Sequence, residues 1–130
     1  MSILVPISIG ELIDKVTILE IKKRLIKDPA KLANIEKEYQ FLCSTIIEND
    51  IGYPSGEIAD LGKELSRVNN DLWLIEDQIR DCERAKKFDG RFVELARSVY
   101  IKNDQRASLK AQINRLVSSD LVEEKSYAAY

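Results

Sequence analysis

Apolar residues recur every three or four positions through most of this chain, and short clusters of turn-forming residues separate the runs. That period belongs to amphipathic helices rather than strands. The first stripe holds Ile9, Leu12, Ile13, Val16, Leu19 and Ile26, and Ile18, Ile21 and Leu25 widen it. So broad an apolar surface must face more than one neighbour. The pattern predicts a helix over 8–27. Ser8 can cap it, and Glu11 is placed to reach back to Ser8. Ile7 and Leu12 are spaced as a hydrophobic staple across that start. Residues 1–7, MSILVPI, read as extended, because Pro6 disfavours helix at Val5.

Asp28 and Pro29 suit the cap and first position of a second helix over 29–49, with Leu32, Ile35, Tyr39, Leu42 and Ile46 inward. DIGYPSG, 50–56, is the one strong loop. A third helix over 57–86 places Ile58, Leu61, Leu65, Val68, Leu72, Ile75, Ile79 and Cys82 on one seam, a sustained heptad. Asp89 can cap a fourth helix over 89–118, with Phe88 and Val93 placed as a staple. Residues 119–130 lose the period and read as a tail that docks through Leu121, Val122 and Tyr127, or frays.

These elements are two helical hairpins in one domain, and they predict an all-α antiparallel four-helix bundle. The second hairpin is longer and coiled-coil-like, so it overhangs the first. Heptad positions on the overhang lack a partner within one chain, which argues for a homodimer. The alternative is that the tail and the N-terminal segment cover it.

Composition narrows the function. The chain has 130 residues with 20 basic and 22 acidic side chains, and no basic run exceeds three residues. That footprint argues against a nucleic-acid partner. There is no histidine, which excludes His-based triads and imidazole metal sites. No stretch approaches a membrane span, and ILVPI is too short for a signal core, so the expectation is a cytoplasmic protein. Cys43 and Cys82 lie within apolar patterns as small core residues.

The stretch LARSVYIKNDQRASLKAQINRL, 95–116, interrupts its own stripe with Lys102, Asn103 and Arg106. A break at Asn103, with Asp104 capping a fifth helix, is one reading; unbroken periodicity favours a continuous helix. Folding the hairpin at 87–88 sets Asn103 near Trp73, Arg106 near Asn69 and Asn70, and Arg97 near Gln78 and Ile79. Glu20 and Lys23 fall at that level of the first helix. Polar residues from three helices then meet halfway up the bundle. One interpretation is a satisfied polar layer that fixes register, as a seam Asn does in coiled coils. The other is a site for a small anionic metabolite, phosphorylated or dicarboxylate. Its candidates are Asn69, Trp73, Glu76, Arg80, Arg97, Tyr100, Asn103, Arg106 and Lys110.

Glu11 with Asp14, and Glu57 with Asp60, share helix faces at i, i+3. All-α nucleotide pyrophosphatases hold Mg²⁺ with such carboxylates, so these four are weak metal candidates. Both pairs also sit in first turns, where the dipole favours acids, and no cofactor is otherwise expected. ELIDKVTILEIKKRL is similar in composition to the first helix of all-helical chorismate mutases, but it has no Arg before Arg24.

Three blocks, ILVPISIGELIDKVTILEIKKR, FVELARSVYIKNDQRASLKAQIN and LVEEKSY, resemble the recurrent blocks of a small bacterial family of unknown function. The resemblance spans nearly the whole chain. It implies a stand-alone helical protein of bacteria or their phages, and it implies no activity. The function expected is that of a non-enzymatic helical interaction or scaffold protein acting as a homo-oligomer. The alternative is a binder of, or enzyme on, a small anionic metabolite at the mid-bundle polar site.

Overall fold

The computed structural model describes all 130 residues. It contains four helices and no strand: α1 Ile9–Leu25, α2 Pro29–Glu48, α3 Gly56–Ala85 and α4 Gly90–Leu116. The start signals act as the sequence implies. Ser8 Oγ accepts the Glu11 amide at 3.2 Å, Asp28 Oδ1 accepts the Ala30 amide at 2.9 Å, and Asp89 Oδ1 accepts the Phe92 amide at 3.3 Å. Each satisfies an amide that the helix itself leaves free. α1 ends in extended backbone at Ile26, but helix ends commonly use a residue in the left-handed region. Lys86 supplies it after α3 (φ 54°) and Ser118 after α4 (φ 51°), so the chain reverses sharply at both points.

Two expected local contacts are replaced. The Glu11 carboxylate does not return to Ser8; it pairs with Lys110 of α4, because an ammonium is a stronger partner than a backbone amide. Phe88 packs edge-on against Phe92, centroids 5.1 Å apart, and leaves Val93 half exposed. At Asn103 and Asp104 the helix is unbroken.

The molecule is a four-helix bundle in which α1 is central. α1 packs against α2, α3 and α4, whereas α2 packs closely on α1 alone. This accounts for the breadth of the α1 stripe: Leu12, Ile13, Val16, Leu19 and Ile21 are all buried. The core is one cluster, which joins Leu12, Ile13 and Val16 to Ile46, Ile58, Leu65, Val68, Leu109 and Ile113. Gly62 lets the Tyr53 ring close the lower end; a Cβ there would lie 2.6 Å from the ring.

The two hairpins are unequal. α1 has 17 residues and α3 has 30, or about 26 Å against 45 Å at 1.5 Å per residue. The difference is visible in burial. From Leu74 to Ser108, Cys82 is the single buried side chain, while Leu74, Phe88 and Val93 are about half exposed. The far end of α3 and α4 is therefore a bare two-helix hairpin. Cys43 and Cys82 are free thiols. No helix is long and apolar enough to cross a membrane.

The N-terminal residues up to Ile7 form no helix or strand and are exposed. The C-terminal tail runs back along α4. Ser119 Oγ accepts the Ile9 amide at 3.2 Å, Glu123 meets Lys110 at 3.0 Å, and the Tyr130 hydroxyl donates to Asp104 at 2.6 Å. Docking through Leu121, Val122 and Tyr127 does not occur; all three stay exposed. The face of α4 beneath the tail offers Lys110, Asp104 and Tyr100, so polar groups and a ring edge make the contacts instead.

Candidate functional site

A glycine sets the register of the polar centre. Gly10 lies so close to α4 that a Cβ would overlap the Lys110 carbonyl oxygen, and its amide donates to Asn114 Oδ1 at 2.7 Å. The first turn of α1 is thus pinned to the last turns of α4. One turn further along α1, the antiparallel arrangement brings Asp14 opposite Arg106.

Asp14 is completely buried and is the hub. Arg106 donates from Nε to its Oδ1 at 2.9 Å and from Nη2 to its Oδ2, a two-pronged pair. Asn69 of α3 donates to the same Oδ1 at 2.9 Å and to Thr17 Oγ1 at 3.0 Å; Thr17 in turn donates to the Asp14 carbonyl at 2.8 Å. Three helices are tied through one carboxylate. The hydrogen bond to Asp14 holds the Arg106 guanidinium above its ordinary pKa, against the opposing effect of burial.

A second set lies one turn away. Lys110 Nζ contacts Glu11 Oε2 at 2.5 Å and Glu123 Oε2 at 3.0 Å. Burial pulls the Lys110 ammonium down, and the two carboxylates more than reverse it, so its pKa ends above the ordinary value. Glu123 also pairs with Lys125, and the Lys125 and Lys110 ammoniums hold its carboxyl down at about 2. No buried side-chain polar atom lacks a partner.

Two clefts flank this centre, and Asn103 and Arg106 line both. One, of about 540 Å³, lies beside Ile18 and Ile21 of α1 and collects Asn69, Trp73, Glu76 and Arg80. The other, of about 830 Å³, lies between α4 and the tail and collects Tyr100 and Lys110. Of the nine residues named from the sequence, Arg97 alone stands apart; it pairs with Glu94 one turn away on the exposed side of α4. Glu20 and Lys23 also lie elsewhere. Glu20 accepts the Tyr39 hydroxyl at 3.3 Å, and Lys23 pairs with Glu36 at 2.9 Å over the Tyr39 ring. Both face α2, since that side of α1 is where the second helix docks.

The acidic pairs separate in the same way. Glu11 and Asp14 neutralise Lys110 and Arg106, while Glu57 and Asp60 border a shallow depression with Arg115. No three His, Cys, Asp or Glu side chains gather into one cluster. The sequence reads Asp14 as a first-turn acid and weak metal candidate rather than as the partner of Arg106, and it singles out none of Thr17, Asn114, Glu123 and Lys125. A signal for Asp14 was present: it shares a second helical stripe with Gly10, Ile18, Ile21 and Leu25.

No curated protein and no solved structure shows a significant match to the chain. Residues 3–130 match the family described as "Family of unknown function (DUF6165)", which spans the polar centre, both clefts and the tail, and the chain belongs to that family.

Proposed function

We propose that this protein is a non-enzymatic helical scaffold that pairs with a second copy of itself through the free end of the α3–α4 hairpin. The observation that carries this reading is the far end of the hairpin, residues 77–97, where the α3 seam runs out and Cys82 is the one buried side chain. In the lower half, residues of α1 and α2 complete the core; at the upper end Leu74, Phe88 and Val93 stay half exposed. Two such ends packed about a twofold axis supply each other's missing helices. Five acidic and six basic residues between 77 and 97 leave this end nearly neutral, so two copies do not repel. In the polar centre the Asp14 network is satisfied internally and offers no free base or nucleophile, which suits a register lock.

The test is light scattering on the purified chain, with Leu74→Glu and Val93→Glu as variants at exposed positions. A dimer that both variants convert to a folded monomer supports the proposal. A wild-type chain that stays monomeric at high micromolar concentration removes it.

A second reading rests on the 830 Å³ cleft, whose wall carries Arg106, Lys110 and Lys125. There the protein binds, or acts on, a small anionic metabolite. Inorganic phosphate is the simplest probe: amide shifts confined to this cleft support that reading, and no shift removes it.

A further inference from the structure

We infer that the cleft between α4 and residues 119–130 takes a small anion carrying a flat ring, and that the anion replaces the Glu123 carboxylate on Lys110. This rests on the small-anion reading and specifies its ligand and its mode of entry.

The three carboxylates of the polar centre differ in how readily they can be replaced. Asp14 is wholly buried within α1, with both oxygens engaged. Glu11 sits in the first turn of the same helix. Glu123 belongs to a tail without helix or strand, and its side chain is 41% exposed. The Lys110 side chain, by contrast, is 11% exposed. An ammonium so placed needs an acceptor whenever Glu123 leaves, because water reaches it poorly. Glu11 supplies one; the second position falls open. Lys125 loses its partner in the same step. Arg106 stays neutralised by Asp14, and the remaining wall carboxylate, Asp104, accepts the Tyr130 hydroxyl. The vacated cleft therefore becomes one charge more positive, and the open positions on Lys110 and Lys125 are ones an anion fills.

The rest of the wall specifies the remainder of the ligand. Tyr100, Tyr127 and Tyr130 line the cleft together with Val99, Ala107 and Ala128. Tyr100 and Tyr130 meet edge to face at 5.3 Å, while Tyr127 remains largely exposed and free to stack. At about 830 Å³ the space is within the usual range for a small-molecule site.

The experiment titrates inorganic phosphate and phenyl phosphate at constant ionic strength, following backbone amides by NMR in wild type, Glu123→Gln and Tyr127→Ala. Both substitutions are at exposed tail positions, so the bundle remains folded. The expected result has three parts. Shifts map to residues 99–110 and the tail. Glu123→Gln binds phosphate about tenfold more tightly than wild type, since an internal competitor is gone. Phenyl phosphate binds more tightly than phosphate, and Tyr127→Ala removes that margin. Phosphate shifts in the cleft with equal affinity in wild type and Glu123→Gln leave the anion reading standing and overturn the exchange. Equal affinity for phosphate and phenyl phosphate overturns the ring. Absence of cleft shifts with either probe overturns both the inference and the reading beneath it.

Discussion

Asp14 of α1 and Arg106 of α4 form a two-pronged ion pair whose carboxylate has no solvent exposure and also accepts a hydrogen bond from Asn69 of α3. Such a pair contributes little over a well-packed apolar pair, because both charges lose hydration. Its weight appears when one partner is removed. Arg106→Met strands Asp14 as a buried charge and is expected to cost about 3–5 kcal/mol of stability. Asp14→Leu combined with Arg106→Met removes both charges and is expected to regain most of that loss. Urea unfolding of the two variants decides the matter; equal losses in both would mean that the site tolerates no apolar replacement.

Gly10 tests the register directly. Alanine there drives a Cβ into the Lys110 carbonyl oxygen, and backbone cannot rotate aside as a flexible side chain does. The expected penalty is about 1–3 kcal/mol, with faster amide exchange in the first turn of α1. Gly90→Ala is the control. Nothing lies within 4 Å of a Cβ at that position, so stability should hold or rise slightly.

The tail should respond to acid. The carboxyl of Glu123 is lowered from the ordinary 4.5 to about 2, by Lys125 first and Lys110 second. A carboxyl lowered on folding contributes stability above its unfolded pKa and loses it as pH falls through the folded one. The Lys110–Glu123 contact therefore contributes fully above pH 4.5, is half lost near pH 2 and is gone only below that. Carbon-13 shifts of the Glu123 carboxyl measure this, and a midpoint near 4.5 would show that the pair does not hold in solution.

Self-association has a local signature of its own. Amides of 79–95 should gain protection as protein concentration rises, because pairing covers the bare hairpin. Those near Leu65 and Ile113, already in the closed core, should not change. Uniform protection at all concentrations would argue against an interface on the hairpin.

Much of this protein is local in origin, and that part was legible in the sequence. Ser8, Asp28 and Asp89 cap their helices because each cap concerns amides a few residues away. The heptad of α3 and the unequal hairpins follow from periodicity and length alone. Periodicity also showed α4 continuous through Asn103, and pairing about the turn placed Arg106 beside Asn69. What tertiary structure decided is which charge meets which. Whether Glu11 turns to Ser8 or to Lys110, whether Asp14 or Glu20 enters the polar centre, and where the tail lies all depend on how α1 rotates and slides against α4. The close approach at Gly10 fixes that position. An ion pair between residues 92 positions apart in sequence leaves no periodic trace, because its energy depends on a distance that only the packed helices define.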